Sequence, residues 1–169
     1  NQPLSGPASV FAIVSRTQQA YLQMLNDKGG INGRKVNLIL ADDGYSPAKA
    51  VEQVRKLVEQ DEVLALFASV GTPTNVAVRK YVNDNKVPQL LVNSISAQFN
   101  NPKQFPWSTS LYIGADQEGA AVARYILENK PDGKVAILYQ NADFGKDYVA
   151  AIRSGPGAQA ESMMVRTYG

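Results

Sequence analysis

Residues 65–75 read ALFASVGTPTN and residues 89–98 read QLLVNSISAQ; these two stretches decide the fold class. Each is a short apolar run that stops in small hydroxyl, amide or glycine residues. After the first, a segment with helical periodicity starts at once. Strand, polar turn and helix form the unit from which an open α/β sheet builds a crevice beyond its strand ends. Backbone N–H groups at such a turn point outward beside short hydroxyls, which suits a small anionic guest. The two stretches therefore read as parts of a binding module.

The same alternation continues outward from them. Residues 11–28 are expected to form a helix with Val10, Val14, Tyr21, Met24 and Leu25 on one face, ended by Gly29-Gly30. Residues 36–41 (VNLILA) read as a short buried strand closed by Asp42-Asp43-Gly44. Ser46-Pro47 opens a second helix, with Ser46 as a cap and Val51, Val54, Leu57 and Val58 as its apolar stripe. Residues 63–68 and 89–92 are strands, and 74–85 is a helix facing inward through Val78, Tyr81 and Val82. Residues 100–106 are a surface loop and 107–113 an extended crossing. Helices follow over 117–129 and 144–153, and strands over 135–139 and 163–168.

This order predicts mostly parallel sheets flanked by helices. It starts without an opening strand and stops just after one. A parallel sheet needs crossovers on both faces, so the chain reads as a piece of a larger protein. The rhythm breaks over 109–116. The expected division is a first unit over 1–109, a crossover over 110–116, and the beginning of a second unit over 117–169.

Composition narrows the chemistry. The 169 residues contain no cysteine and no histidine, which removes Ser–His–Asp and Cys–His catalysis and sulfur-ligated zinc. The chain is not expected to be an enzyme, and no cofactor or metal is expected. Seventeen Lys+Arg stand interspersed against 15 Asp+Glu, for a net charge of +2, without the clustered basic face that nucleic acid requires. No apolar run reaches the length of a membrane span. The opening NQPLSGP has neither the basic start nor the apolar stretch of a leader, as in a mature or truncated chain.

Several constellations carry two readings each. Ser69–Asn75 is either an anion cradle, with Gly71 allowing close backbone approach and Thr72 or Thr74 offering a hydroxyl, or ordinary helix capping. Asn93-Ser94-Ile95-Ser96 is either a second set of ligand donors or a solvated loop. Together they gain weight, because strand ends of one parallel sheet converge on one edge. Phe144, in the loop NADFG, either covers the apolar part of a ligand or lids the core; Phe11 and Tyr112 are similar aromatic candidates. Asp42-Asp43 resembles the metal-binding acids of response-regulator receiver domains, a flavodoxin-like phospho-acceptor reading. The strand-end Asp and later Lys that such domains need are missing, so a solvated turn is the simpler account. Ser46-Pro47-Ala48-Lys49 matches S-x-x-K without its companion motifs, and no nucleotide-phosphate motif occurs.

Leu4-Ser5-Gly6-Pro7, Asn26–Arg34 (NDKGGINGR), Asp42-Asp43, the helix from Pro47 to Leu57, the helix from Gly119 to Leu127 and Tyr139–Gly145 (YQNADFG) are a specific combination. Over nearly its whole length the chain resembles the type I periplasmic solute-binding proteins of ABC transporters, in the branch of the leucine/isoleucine/valine-binding proteins. The resemblance implies two α/β lobes closing over a ligand, with this chain supplying lobe one without its first strand and the start of lobe two. It implies a ligand carboxylate held by the Gly71–Thr72 turn and by Ser94, Ile95 and Ser96, a backbone carbonyl near Ser94 facing an amino group where the ligand has one, Val70 as a further ligand-binding residue, and Phe11 and Phe144 flanking the ligand. The implied partners are a small carboxylate-bearing ligand and a membrane permease, and the implied location is the periplasm or cell surface. A ligand-sensing domain of a receptor or regulator is the alternative on the same fold.

Overall fold

A computed structural model describes residues 1–154 and 163–168. The expected unit 117–169 thus includes 155–162 and 169, which lie outside the described residues. A 3-10 turn, Ser9–Phe11, leads into helix α1, Ala12–Asp27. There follow α2 (Pro47–Glu59), β1 (Leu66–Phe67), α3 (Thr72–Asp84), β2 (Gln89–Val92), a 3-10 turn (Ala97–Asn100) and β3 (Ser108–Ser110). Next come α4 (Ala115–Asn129), β4 (Ala136–Gln140), α5 (Asp143–Ser154) and β5 (Met164–Tyr168).

Among the described residues, β1, β2 and β3 form one parallel sheet in that order, and β4 and β5 form another. Parallel neighbours require a crossover; α3 supplies it between β1 and β2, and α5 between β4 and β5. The fold class is the expected α/β arrangement. The expected boundary residue Thr109 falls inside β3, which is hydrogen-bonded into the first sheet.

The main core lies where α2 and α3 pack together over β1. Ala50, Val54 and Leu57 meet Val78, Val82 and Leu66, with Val51, Val58 and Tyr81 at the margin. These are the stripes that the helical period predicts. α4 and α5 pack closely because Gly119 lacks a side chain: a Cβ there would come 2.7 Å from the Ala151 Cβ.

Three local expectations need correction. Residues 36–41 do not enter a sheet. Their neighbourhood pairs only through the parallel bridge Gln2↔Asp42, with Gln2 N–H donating to the Ala41 carbonyl. The segment around Gln2 reaches only this end of the run, and an apolar groove of about 460 Å³ separates 36–40 from 63–67. The buried face of α1 is also rotated from the expected one. Ala12 and Ser15 are buried, while Val10 is 74% and Tyr21 58% exposed. Finally, Ser46 stands at the N-cap position of α2 in extended conformation, but its side chain makes no capping hydrogen bond. Pro47 still fits the first helical position, where its missing N–H costs nothing.

Candidate functional site

The site grows from the two strand-end turns. Beyond β1, Val70 bridges Asn93 in parallel register. The Asn93 N–H donates to the Ser69 carbonyl (2.9 Å) and the Gly71 N–H to the Asn93 carbonyl (3.2 Å). These bonds stitch the loop after β1 to the loop after β2. Asn75, fully buried on the first turn of α3, locks the same loop: its side-chain amide donates to the carbonyls of Ser69 (3.0 Å) and Gly71 (2.6 Å). Its carbonyl oxygen accepts from the Gln89 side chain, whose own oxygen accepts from the Ser108 hydroxyl. A buried polar chain thus runs from the turn through β2 to β3, each group satisfied by the next.

Gly71 is at φ +111, in the range that favours glycine. A Cβ there would come within 2.7 Å of both the Thr74 hydroxyl oxygen and Tyr45 Cε2. The glycine therefore permits the turn and the approach of Tyr45. Just past it, the Thr72 and Ser94 hydroxyl oxygens lie 2.6 Å apart, both buried. Ser94 Oγ also accepts from the Ser96 N–H at 3.2 Å. One of the two hydroxyl protons serves the mutual bond, and the other remains for a guest acceptor. The first N–H groups of α3, at Thr72 and Thr74, lack intrahelical acceptors and carry the positive end of the helix dipole.

These groups open onto a cavity of about 340 Å³ that also touches the second sheet. Of the expected residues, Phe11, Val70, Gly71, Thr72, Ser94, Ile95 and Phe144 line it. Phe11 comes from the turn before α1, and Phe144 from the start of α5. Tyr112 lines it as well.

Ser96 does not line the cavity. It is fully buried, and its hydroxyl donates to Asp147 Oδ2 on α5 at 2.8 Å, beside the Ala97 N–H at 3.2 Å. Strict alternation would put Ser94 and Ser96 on one side; Ser96 instead stands at the N-cap of the 3-10 turn Ala97–Asn100, where the chain leaves the extended path and its side chain meets α5.

Asn93, from the anticipated Asn93–Ser96 run, lines the cavity too, and Tyr45, Gln140 and Tyr168 complete the lining without having been anticipated as site residues. Tyr45 is held by Asp43, whose Oδ1 accepts its N–H at 2.8 Å and whose Oδ2 accepts from the Asn1 amide at 2.6 Å. Burial is the main influence raising the Tyr45 phenol above its ordinary pKa, with Asp43 and Tyr168 adding to it and Gln140 opposing it. The phenol therefore stays a neutral donor through physiological pH. A signal for Tyr45 was legible: an aromatic in the Asp-Asp-Gly-Tyr turn follows a predicted strand end.

The phospho-acceptor reading of Asp42-Asp43 loses its basis. Asp43 is fully buried in the bonds just described, and Asp42 accepts from the N–H groups of Leu4, Ser5 and Gly44 and from the Ser5 hydroxyl. Both carboxylates organise turns. Among the described residues no group of three or more potential metal ligands gathers anywhere.

The sequence profile of the family described as "Periplasmic binding protein" matches residues 1–158. The "Leu/Ile/Val-binding protein homolog 1" of Brucella abortus is 24% identical over 146 residues, covering 85% of this chain and 38% of the relative. The "Leu/Ile/Val-binding protein BraC3" of Rhizobium johnstonii is 30% identical over 154 residues, covering 90% of this chain and 41% of the relative. The crystal structure of a possible leucine/isoleucine/valine-binding protein from Rhodopirellula baltica superposes with a TM-score of 0.84 at 25% identity, covering 99% of this chain and 46% of that one. The chain spans less than half the length of each of these relatives. Parallel sheets, joined strand-end turns and the profile match agree: the chain belongs to the type I periplasmic binding proteins, in the branch of the Leu/Ile/Val-binding proteins.

Proposed function

We propose that the protein is an extracytoplasmic receptor that takes up a small carboxylate-bearing ligand in the cavity between its two sheets and presents it to an ABC transporter permease. The ligand class comprises branched-chain amino acids and aromatic or aliphatic acids. The family points to the periplasm or cell surface as its location. On this reading residues 1–109 form the lobe that docks the carboxylate, 117–169 begin the lobe that closes over it, and 110–116 cross between them.

One observation carries the reading: the turns after β1 and β2 meet, bringing the Thr72 and Ser94 hydroxyls to 2.6 Å at the mouth of a cavity that Phe144 reaches from the other side. Two hydroxyls beside a helix N-terminus form a ready carboxylate cradle. Each charge-assisted hydrogen bond there contributes roughly 1.5–3 kcal/mol. Ligand contacts made only in the closed form would drive closure.

Calorimetry on the full-length protein should find micromolar or tighter binding of a carboxylate ligand. Replacing Thr72→Ala together with Ser94→Ala should weaken that binding at least tenfold. Unchanged affinity would remove the cradle assignment.

A further inference from the structure

Four side chains tie the cradle turn to the start of β3 through hydrogen bonds that all run one way. The Trp107 N–H donates to Asn83 Oδ1 at 2.9 Å, so the Asn83 amide nitrogen is left to donate to Ser108 Oγ at 2.8 Å. Ser108 Oγ donates to Gln89 Oε1 at 2.8 Å, and Gln89 Nε2 to Asn75 Oδ1 at 3.0 Å. Asn75 Nδ2 ends the relay by donating to the carbonyls of Ser69 and Gly71, at 3.0 and 2.6 Å. A backbone donor fixes one end and two backbone acceptors fix the other, so each amide can lie only one way round. None of the relay's buried polar atoms lacks a partner.

Stability alone does not call for this arrangement. Apolar side chains of similar volume would fill the same layer without needing partners, and replacing a satisfied polar network by them is often neutral. The relay matters for what its last member holds. The Gly71 carbonyl and the Thr72 N–H belong to one planar trans peptide, in which the two groups point in opposite directions. Asn75 is fully buried and takes the carbonyl on its own side. The Thr72 N–H therefore points away from Asn75. It has no acceptor among the described residues, and Thr72 lines the cavity while Asn75 does not. Thr74 Oγ1 also reaches the Gly71 carbonyl, at the longer distance of 3.3 Å.

The geometry points to Asn75 as the positioning residue of the cradle: by holding the Gly71 carbonyl inside the protein, it keeps the Thr72 N–H turned toward the guest. The inference rests on the carboxylate-receptor reading above and adds the residue, itself outside the cavity, that aims one of its donors. Gln89, Ser108 and Asn83 hold Asn75 in turn but touch neither carbonyl.

The test uses the full-length protein, calorimetry with L-leucine, L-isoleucine, L-valine and benzoate, and amide relaxation in nuclear magnetic resonance. Asn75→Asp keeps the shape and the bond from Gln89 but removes the amide donors. It should weaken binding of the tightest of these probes by about tenfold or more, the loss of one hydrogen bond to a charged group. Without ligand, the order parameter of the Thr72 amide should fall from about 0.85 to below about 0.6. Gln89→Met breaks the relay one step earlier and leaves both carbonyl bonds in place. It should lower the melting temperature, yet keep affinity within about threefold of wild type and the Thr72 amide ordered, because it touches neither the turn nor the cavity. Asn75→Ser, too short to reach both carbonyls, should repeat the Asn75→Asp result and replaces that variant if it does not fold. Wild-type affinity and order in the Asn75 variants would overturn the assignment and leave the receptor reading standing. A Gln89→Met loss of affinity as large as theirs would overturn it too, since the relay would then support only the fold. If the wild type binds none of the probes, the receptor reading fails and this one with it.

Discussion

Asp42 illustrates how single residues shape this molecule away from the cavity. Its carboxylate gathers four donors from the Leu4–Ser5 and Gly44 turns and so ties the opening segment to the turn before α2. The Ser5 hydroxyl is the largest influence holding its pKa below the ordinary value, with the backbone donors assisting and burial opposing. A carboxylate whose pKa is lowered on folding adds stability above its unfolded pKa of about 3.9, and that contribution disappears as pH falls through the folded value. The melting-temperature difference between wild type and Asp42→Asn should therefore be constant between pH 7 and 5 and narrow below about pH 4. A difference that persists unchanged at pH 2 would assign the residue's role to something other than its charge. At this scale sequence reading placed the acids in a turn, as the structure has them, but did not give their partners or the burial of Asp43, because the Leu4 and Ser5 donors lie 38 and 37 positions away.

The helices show where periodicity suffices and where it does not. In α2 and α3 the apolar stripe is continuous, and the predicted faces are those that meet over Leu66. α1 has apolar residues distributed around much of its circumference, so period alone does not choose a face, and the buried residues are Ala12 and Ser15. Urea denaturation should separate the two cases. Val54→Ala, at a fully buried position, should cost about 2–3 kcal/mol from lost transfer free energy and the cavity left behind. Val10→Ala, three-quarters exposed, should change stability by less than about 0.5 kcal/mol. Equal costs would mean that Val10, in the 3-10 turn before α1, is not exposed as described. The run 36–41 fails as a strand for a related reason: an apolar, β-branched pattern supplies propensity, but a strand exists only with a partner along its length.

Across the whole molecule, the contacts that join the two sheets are polar and centred on α5. Asp147 receives Ser96 and Ala97, and the Gln98 side chain donates to Asp143 while the Gln98 carbonyl accepts from Arg79. Arg79 is itself sandwiched near Phe99 and Phe105. The Asp147 and Asp143 bonds join α5 to the loop after β2, and on the proposed receptor reading they hold the two lobes together. On that reading Asp147→Ala in the full-length protein should lower affinity for the proposed carboxylate ligand by about 3- to 10-fold and increase the ligand-free radius of gyration in small-angle scattering. Unchanged values would mean that this contact does not couple closure to binding. The amino-acid order by itself determined the α/β class, the positions of the helices, and the pairing of two strand-end turns with Gly71, Thr72 and Ser94, because these follow from local period, turn chemistry and the convergence of parallel strand ends. Only the tertiary structure decided that Ser96 faces Asp147, that Tyr45 walls the cavity and that 36–41 lacks a ladder. Each of those depends on which distant segment lies alongside, and a contact across tens of residues leaves no trace in the period of either segment.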